Sequence, residues 1–275
     1  MTDGNLPYQL NRLPYNVFEM DFTIPYEEVL KTYQAIIQEK AVALTQAIPN
    51  LSQPAETLIT QTYSWPNIYN LIISKLIPPA YQAALKTENI KPIMLPKIIP
   101  IKIATNEPWL IKVTSCETPQ FDLGDYMGKV KQMKVEKNLT GTIFDNKVKG
   151  QFINEAMGIL VSSTNIDIPP MLLAQQIDRL VELEVYKQQQ MRLTFDQYLK
   201  SINKNFEQFR YELIPAATNL LKMELIMIKI AKDQKLVEEP PEPSYPPDPN
   251  QPPPKDPVAL QQERQQKVIE FLVSL

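Results

Sequence analysis

The chain has 275 residues, enough for one or two domains with hydrophobic cores, and its 44% hydrophobic and 21% charged residues are typical of a globular protein. Its 28 basic and 31 acidic residues give no excess of positive charge, so we expect no direct DNA binding. It contains no histidine and a single cysteine, which excludes catalytic groups that use imidazole as a base and zinc sites built from His and Cys within one chain.

The N-terminal third reads as strand, helices and a hairpin. Residues 15–24 alternate apolar and polar side chains, which predicts a half-buried strand, and a helix begins after Pro25. A brief helix over residues 55–63 and a longer one from Pro66 follow, and Pro78-Pro79 would kink or restart the longer helix.

Two alternating segments, residues 93–103 and 109–115, then flank a polar turn and predict a β-hairpin. The order of these elements predicts an α+β domain over residues 1–118. Cys116 lies among strand-like residues and is expected to fill a small space in the core. Residues 119–150 are predicted to be a linker. A basic cluster is formed by Lys129, Lys131, Lys134 and Lys137, with Lys147 and Lys149. We interpret it as an ordinary solvated face, with a contact to the ribosome or to an acidic client as the alternative.

Residues 151–239 are predicted to form a helical domain. Ile168-Pro169-Pro170 opens a long helix, and the segment 191–199 starts a second one. Residues 206–213 then lead through Pro215 into an apolar helix that ends near Lys235.

These helices carry more large apolar side chains than three or four isolated helices can bury, so part of the set is expected to stay exposed as a concave apolar surface. Methionine suits such a surface because its flexible side chain adapts to varied partners, although any single member could instead be a core residue. The candidate surface residues are Leu172, Met191, Phe195, Tyr198, Phe206, Phe209, Leu220, Met223 and Met227.

The segment 240–257 contains ten prolines in eighteen residues, which predicts polyproline II conformation. We interpret it as a stiff strut, with a ligand for a proline-binding partner as the alternative. Residues 258–275 follow as an amphipathic helix that we expect to pack on the helical domain.

The spaced pattern over residues 165–237 resembles the C-terminal domain of trigger factor, the bacterial ribosome-associated chaperone. Residues 76–93 and 121–136 resemble segments of the ribosome-binding domain of the same family. The resemblance implies an α+β N-terminal domain followed by an all-α, arm-bearing C-terminal domain of the trigger-factor or SurA-like peptide-binding type. It further implies an ATP-independent cytoplasmic chaperone that binds nascent or unfolded polypeptides, assists folding and export, and needs no cofactor or metal.

The sequence departs from the family at the ribosome-docking loop. In place of Gly-Phe-Arg-x-Gly-x-x-Pro, the chain has Ile48, Pro49, Asn50, Leu51, Ser52 and Gln53, with no cation for a contact to ribosomal RNA. We therefore expect weak ribosome binding through this loop.

A second departure concerns the family's prolyl-isomerase domain of about a hundred residues. The roughly 15 residues between Lys137 and the helix at Phe152 are too few to form it, and we identify no catalytic residues, so we expect no enzyme activity.

Three functions stay open at this point: a chaperone at the ribosome with altered contacts, a ribosome-independent holdase or assembly factor for cytosolic proteins, and a residual prolyl isomerase. The N-terminus lacks a secretory signal pattern, and no apolar segment reaches the roughly 18 residues that span a bilayer, so we expect no membrane association.

Overall fold

The computed structural model describes residues 6–48, 54, 57–59, 65–137, 146–237 and 256–275. The described residues form two compact units, one ending at Thr118 and the other beginning at Pro119. In its coarser form the predicted fold class is confirmed, because a small sheet with helices lies in the N-terminal part and the remainder is helical.

The first unit contains a four-stranded antiparallel sheet and two long helices. The strands are β1 (Tyr8–Arg12), β2 (Val17–Ile24), β3 (Lys97–Lys102) and β4 (Trp109–Cys116), in the spatial order β1-β2-β4-β3. The helices are α1 (Tyr26–Ala47) and α2 (Trp65–Glu88).

The register of β2 against β4 places one row of apolar side chains on the covered face of the sheet. Met20 lies opposite Val113 and Phe22 opposite Ile111, and all four side chains are buried. The residues between them form the polar face, where Lys112 Nζ donates to Glu19 Oε2 at 2.6 Å. This strict alternation fixes the register, because a shift of one residue would bring the polar side chains into the core.

The helices α1 and α2 cover the apolar face of the sheet. Pro25 caps α1, and α2 continues through Pro78 and Pro79, so the predicted restart of the helix does not occur. Of the predicted brief helix over residues 55–63, the structure describes residues 57–59, which are helical. Buried isoleucines from both helices join the strand side chains in one core, among them Ile36, Ile72 and Ile77.

Both strands of the predicted C-terminal hairpin of this unit are present as β3 and β4, and β1 is an additional strand that the sequence pattern did not indicate. The edge strand β3 is protected against pairing with another chain. It carries Lys97 and Lys102, Pro100 at its centre, and an irregular register between Pro100 and Lys102. Charge, proline and bulges all disfavour the addition of a further strand.

The single cysteine provides a test of this core. Cys116 is fully buried, and burial raises the pKa of its thiol to about 11. Since the thiolate is the reactive form, we expect a thiol reagent at pH 8 to modify Cys116 only when the first unit opens. Labelling measured with and without urea should therefore show slow reaction in buffer and complete reaction across the unfolding transition. Rapid stoichiometric labelling in buffer would contradict this packing.

The second unit consists of helices in its described part. They are α3 (Tyr126–Glu136), α4 (Asn146–Ser163), α5 (Pro170–Gln190), α6 (Phe195–Ser201), α7 (Phe206–Asp233) and α8 (Pro257–Ser274). None of the helices in the described ranges combines the length and apolar character required to cross a membrane.

The longest helix, α7, joins two packing regions of this unit. Its C-terminal half packs on α4 and α8, where Leu225, Ile226 and Ile230 are buried. Its N-terminal half packs on α5. The sequence suggested a division at Pro215, but the helix runs through this proline, whose side chain is exposed.

Candidate functional site

The candidate site is a helical hairpin made of α5, α6 and the first half of α7, residues 170–217, which we call the hairpin. It has a small core of its own. The core residues are Ile177, Val181, Leu199, Phe209 and Ala217, with partly buried apolar neighbours such as Leu180 and Leu213. Because these side chains recur at helical spacing along α5 and α7, one face of each helix is covered by the other.

Two successive capping boxes, beginning at Thr194 and Asn205, shape the tip of the hairpin, residues 185–205. At the start of α6, Thr194 Oγ1 accepts from the Gln197 amide at 3.2 Å, and Gln197 Oε1 accepts from the Thr194 amide at 2.9 Å. At the start of α7, Asn205 and Gln208 exchange the same two bonds at 2.8 and 3.0 Å. These bonds satisfy amides that a helix start otherwise leaves unpaired, so both turns are defined locally.

Four aromatic rings pack together where α6 meets the start of α7. The Phe195 ring lies 5.6 Å from that of Phe209 and 6.3 Å from that of Phe206, both edge to face. The Tyr198 ring lies 6.0 Å from that of Phe209, again edge to face. Sequence reasoning identified all four as client contacts, and the structure brings them together as one cluster that supports the tip.

The nine predicted surface residues divide into buried, half-buried and exposed sets. Leu172, Phe209 and Met227 are buried, Phe209 in the hairpin core and Met227 in the packed C-terminal half of α7, so they contribute to packing and are not part of the exposed surface. Phe195, Tyr198 and Met223 are half-buried. Met191, Phe206 and Leu220 are exposed, and the first two lie on the hairpin.

The most exposed apolar side chains of the hairpin were missed by the sequence analysis. The exposed fractions are 74% for Tyr211, 62% for Tyr186 and 57% for Leu183. Met191, which the sequence did identify, follows at 53%. A helical wheel contains the signal that would have found them. Leu183 and Tyr186 lie roughly opposite the buried stripe formed by Ile177 and Val181, at positions where a water-exposed helix normally has polar residues.

An open groove of about 740 Å³ lies along the first turns of α7 and reaches Ile177 on α5. Its apolar lining comes from Ile177, Ile214 and the ring of Tyr211. Charged groups line it as well, including Glu207 and Arg210. The groove therefore offers apolar contact with polar groups alongside, which suits a flexible polypeptide segment better than a small apolar ligand.

Ion pairs connect the helices of the hairpin and its tip. Arg210 on α7 pairs with Asp178 on α5, and its guanidinium lies 5.6 Å from the centre of the Phe206 ring. Lys204 pairs with Glu212. These contacts are solvent-exposed, so we assign them a role in fixing the orientation of the helices and little net stability.

Of the predicted docking loop, residues 48–53, the structure describes only Ile48. Ile48 is exposed, and Pro49, Asn50, Leu51, Ser52 and Gln53 lie outside the described residues. The predicted lysine cluster on α3 is partly engaged within the second unit. Lys134 Nζ donates to the Val273 carbonyl at 2.7 Å, and Lys137 Nζ lies 3.3 Å from Glu155 Oε1.

Comparison with protein families assigns both parts of the chain. Residues 8–155, more than half of the chain, match the bacterial trigger factor protein model, and residues 130–239 match the model of the bacterial trigger factor C-terminus. The two matched ranges overlap at residues 130–155, so no interval separates the N-terminal from the C-terminal family region.

Individual trigger factors show the same similarity over shorter spans. The trigger factor of Lactobacillus gasseri is 31% identical over 112 residues, covering 40% of this chain and 24% of the relative. That of Fusobacterium nucleatum is 33% identical over 90 residues, covering 32% and 21%. The chain thus matches about a quarter or less of the length of these curated relatives. By the family models that match its N-terminal and C-terminal parts, the chain belongs to the bacterial trigger factor family.

Proposed function

We propose that this protein is an ATP-independent cytoplasmic chaperone and that the hairpin is its client-binding arm. The observation that carries the proposal is the exposure of Leu183, Tyr186, Met191 and Tyr211 on a hairpin whose inner faces are already packed together. These side chains lie outside the hairpin core and are exposed to solvent. Membership of the trigger factor family supports the same assignment.

The size of this surface favours reversible capture. If a client covers on the order of 400 Å² of apolar surface, burial contributes roughly 10 kcal/mol at about 25 cal/mol per Å². The association itself costs about 4–15 kcal/mol, so the net affinity is weak and release needs no nucleotide. Apolar contact without defined hydrogen-bond partners also imposes no strict sequence on the client, as a general folding aid requires.

The prolyl-isomerase alternative is disfavoured by the overlap of the two family regions at residues 130–155. In relatives with an isomerase domain between them, an interval of about a hundred residues is expected. We propose that slow, proline-limited refolding of a client is not accelerated by this protein. A faster slow phase in a refolding assay would contradict this.

The ribosome-bound alternative depends on residues 48–53, which contain no cationic side chain. We expect little of the protein to cosediment with ribosomes at physiological salt, since contacts to ribosomal RNA draw on Lys and Arg. Stoichiometric cosedimentation that is lost on changing this loop would favour a ribosome-bound role.

Binding of an unfolded client tests the proposed function directly. We expect the full chain to raise the fluorescence anisotropy of a labelled, reduced and alkylated protein that cannot fold, with a Kd in the micromolar range. The native form of the same client should compete poorly, and ATP should leave the Kd unchanged. Absence of binding to the unfolded client would overturn the proposal.

A further inference from the structure

The tip of the hairpin, residues 185–205, has a charge opposite to that of the chain. It holds four basic residues and one acidic residue, a net charge of +3, whereas the whole chain has −3. The basic residues are Lys187, Arg192, Lys200 and Lys204, and the acidic residue is Asp196. Asp196 lies in the first turn of α6, where the positive end of the helix dipole accommodates it.

Two of these cations form ion pairs, and among the described residues the other two form none. Lys204 pairs with Glu212, and Lys187 Nζ lies 3.7 Å from Glu184 Oε2. Within the described parts of the chain, Arg192 and Lys200 make no ion pair, and both are exposed. Their charges are therefore available to a bound partner.

The available charges lie beside exposed apolar side chains. Arg192 lies between Met191 and Leu193 in the turn from α5 to α6, and both neighbours are exposed, as is Tyr186 in the last two turns of α5. One short segment therefore presents apolar and cationic side chains together. A partner that contacts both the apolar and the cationic side chains must itself combine apolar and anionic groups.

The backbone at Arg192 adopts a left-handed conformation at the end of α5. Its φ is 60°, in the left-handed region where a helix end is normally followed by glycine. An arginine is less favourable there than glycine because its Cβ approaches the carbonyl oxygen. A cation after the last turn of α5 also interacts favourably with the negative end of the helix dipole, so the position accommodates an arginine whose guanidinium stays exposed.

We propose that the tip selects apolar client segments that carry flanking Asp or Glu residues. This inference rests on the proposed function, because it specifies which unfolded segments the hairpin prefers. Arg192 and Lys200 attract the flanking carboxylates, while Tyr186, Met191 and Leu193 cover the apolar centre of the segment. Exposed pairs of this kind contribute modestly, so two of them shift affinity by about fivefold.

Two matched peptides test the preference. They share one apolar centre of Leu, Phe and Val and differ only in having two Glu or two Lys residues at each end. With the full chain at low salt, the Glu-flanked peptide should bind about fivefold tighter, and the ratio should approach one at about 0.5 M salt, where charges are screened within a few ångströms.

Charge reversal assigns the preference to the tip. Arg192→Glu with Lys200→Glu should remove or invert the ratio of the two affinities. The control, Lys86→Glu with Lys97→Glu on α2 and β3, changes net charge equally with two exposed lysines of the first unit and should leave the ratio intact. If the reversed tip disturbs folding by circular dichroism, Arg192→Gly with Lys200→Gln removes the charges, and glycine suits the backbone at position 192.

The outcomes separate this inference from the proposed function. Equal binding of both peptides by the unaltered protein overturns the charge preference and leaves client binding standing. Failure of both peptides and of the unfolded client overturns both. A control variant that changes the ratio as much as the tip variant would show that net charge alone is responsible, and the assignment to the tip would be wrong.

Discussion

Tyr186→Gln combined with Tyr211→Gln is expected to abolish most client binding without unfolding the protein. Both side chains are among the most exposed apolar groups of the hairpin, and glutamine keeps a good helix propensity. Losing on the order of 100 Å² of apolar contact removes about 2.5 kcal/mol, which is about a sixtyfold loss of affinity. The measurement is the Kd for an unfolded, labelled client.

A matched double variant controls for the loss of surface apolarity as such. Leu95→Gln with Val135→Gln removes two exposed apolar side chains that lie outside the hairpin. We expect it to bind clients as tightly as the unaltered chain and to suppress their aggregation equally. The assignment of the site to the hairpin would be wrong if the control lost as much affinity as the tyrosine variant.

Phe209→Ala is expected to destabilise the hairpin rather than remove a client contact. Phe209 is buried in the hairpin core, and its ring packs edge to face on those of Phe195 and Tyr198. Truncating a buried phenylalanine costs about 3–5 kcal/mol. Hydrogen exchange should therefore show protection of the amides in α5, α6 and the first half of α7 falling by about a hundredfold or more.

Hydrogen exchange also distinguishes packing from direct contact. Amides of the sheet in the first unit should exchange as before, because Phe209 belongs to the second unit. Leu220→Ala, an exposed change on the same helix, should cost less than about 1 kcal/mol. If Phe209→Ala bound clients poorly while keeping full amide protection, Phe209 would be a client contact and its assignment to the core would be wrong.

The fold was predictable where one face of an element is buried and the other is not. The alternation of Phe18, Met20, Phe22 and Ile24 in β2 follows directly from such burial. The first strand, β1, escaped because its short sequence YQLNR is half-buried and mostly polar, so it lacks a clear period. Its place depends on pairing with β2, which is a tertiary effect.

The site was predictable as a region but not residue by residue. An amphipathic pattern identifies which helices have apolar faces. Counting the large apolar side chains of a helix does not show which of them a neighbouring helix covers. Phe209 and Met227 belong to the covered stripes of α7, whereas Tyr186 and Tyr211 lie on the opposite sides of their helices. Pro215 similarly suggested a break, yet α7 continues because packing on both halves outweighs one lost backbone hydrogen bond.

Site-specific photocrosslinking tests the client-binding role of the hairpin most directly. A photoreactive residue placed at position 186 or 211, and at position 135 as the reference, is irradiated in the presence of an unfolded client. With the unfolded client, we predict efficient crosslinks from positions 186 and 211 and few from position 135. With the folded client, we predict no crosslinks from any of the three positions. Equal yields from the three positions, or capture from position 135 alone, would contradict a client site on the hairpin.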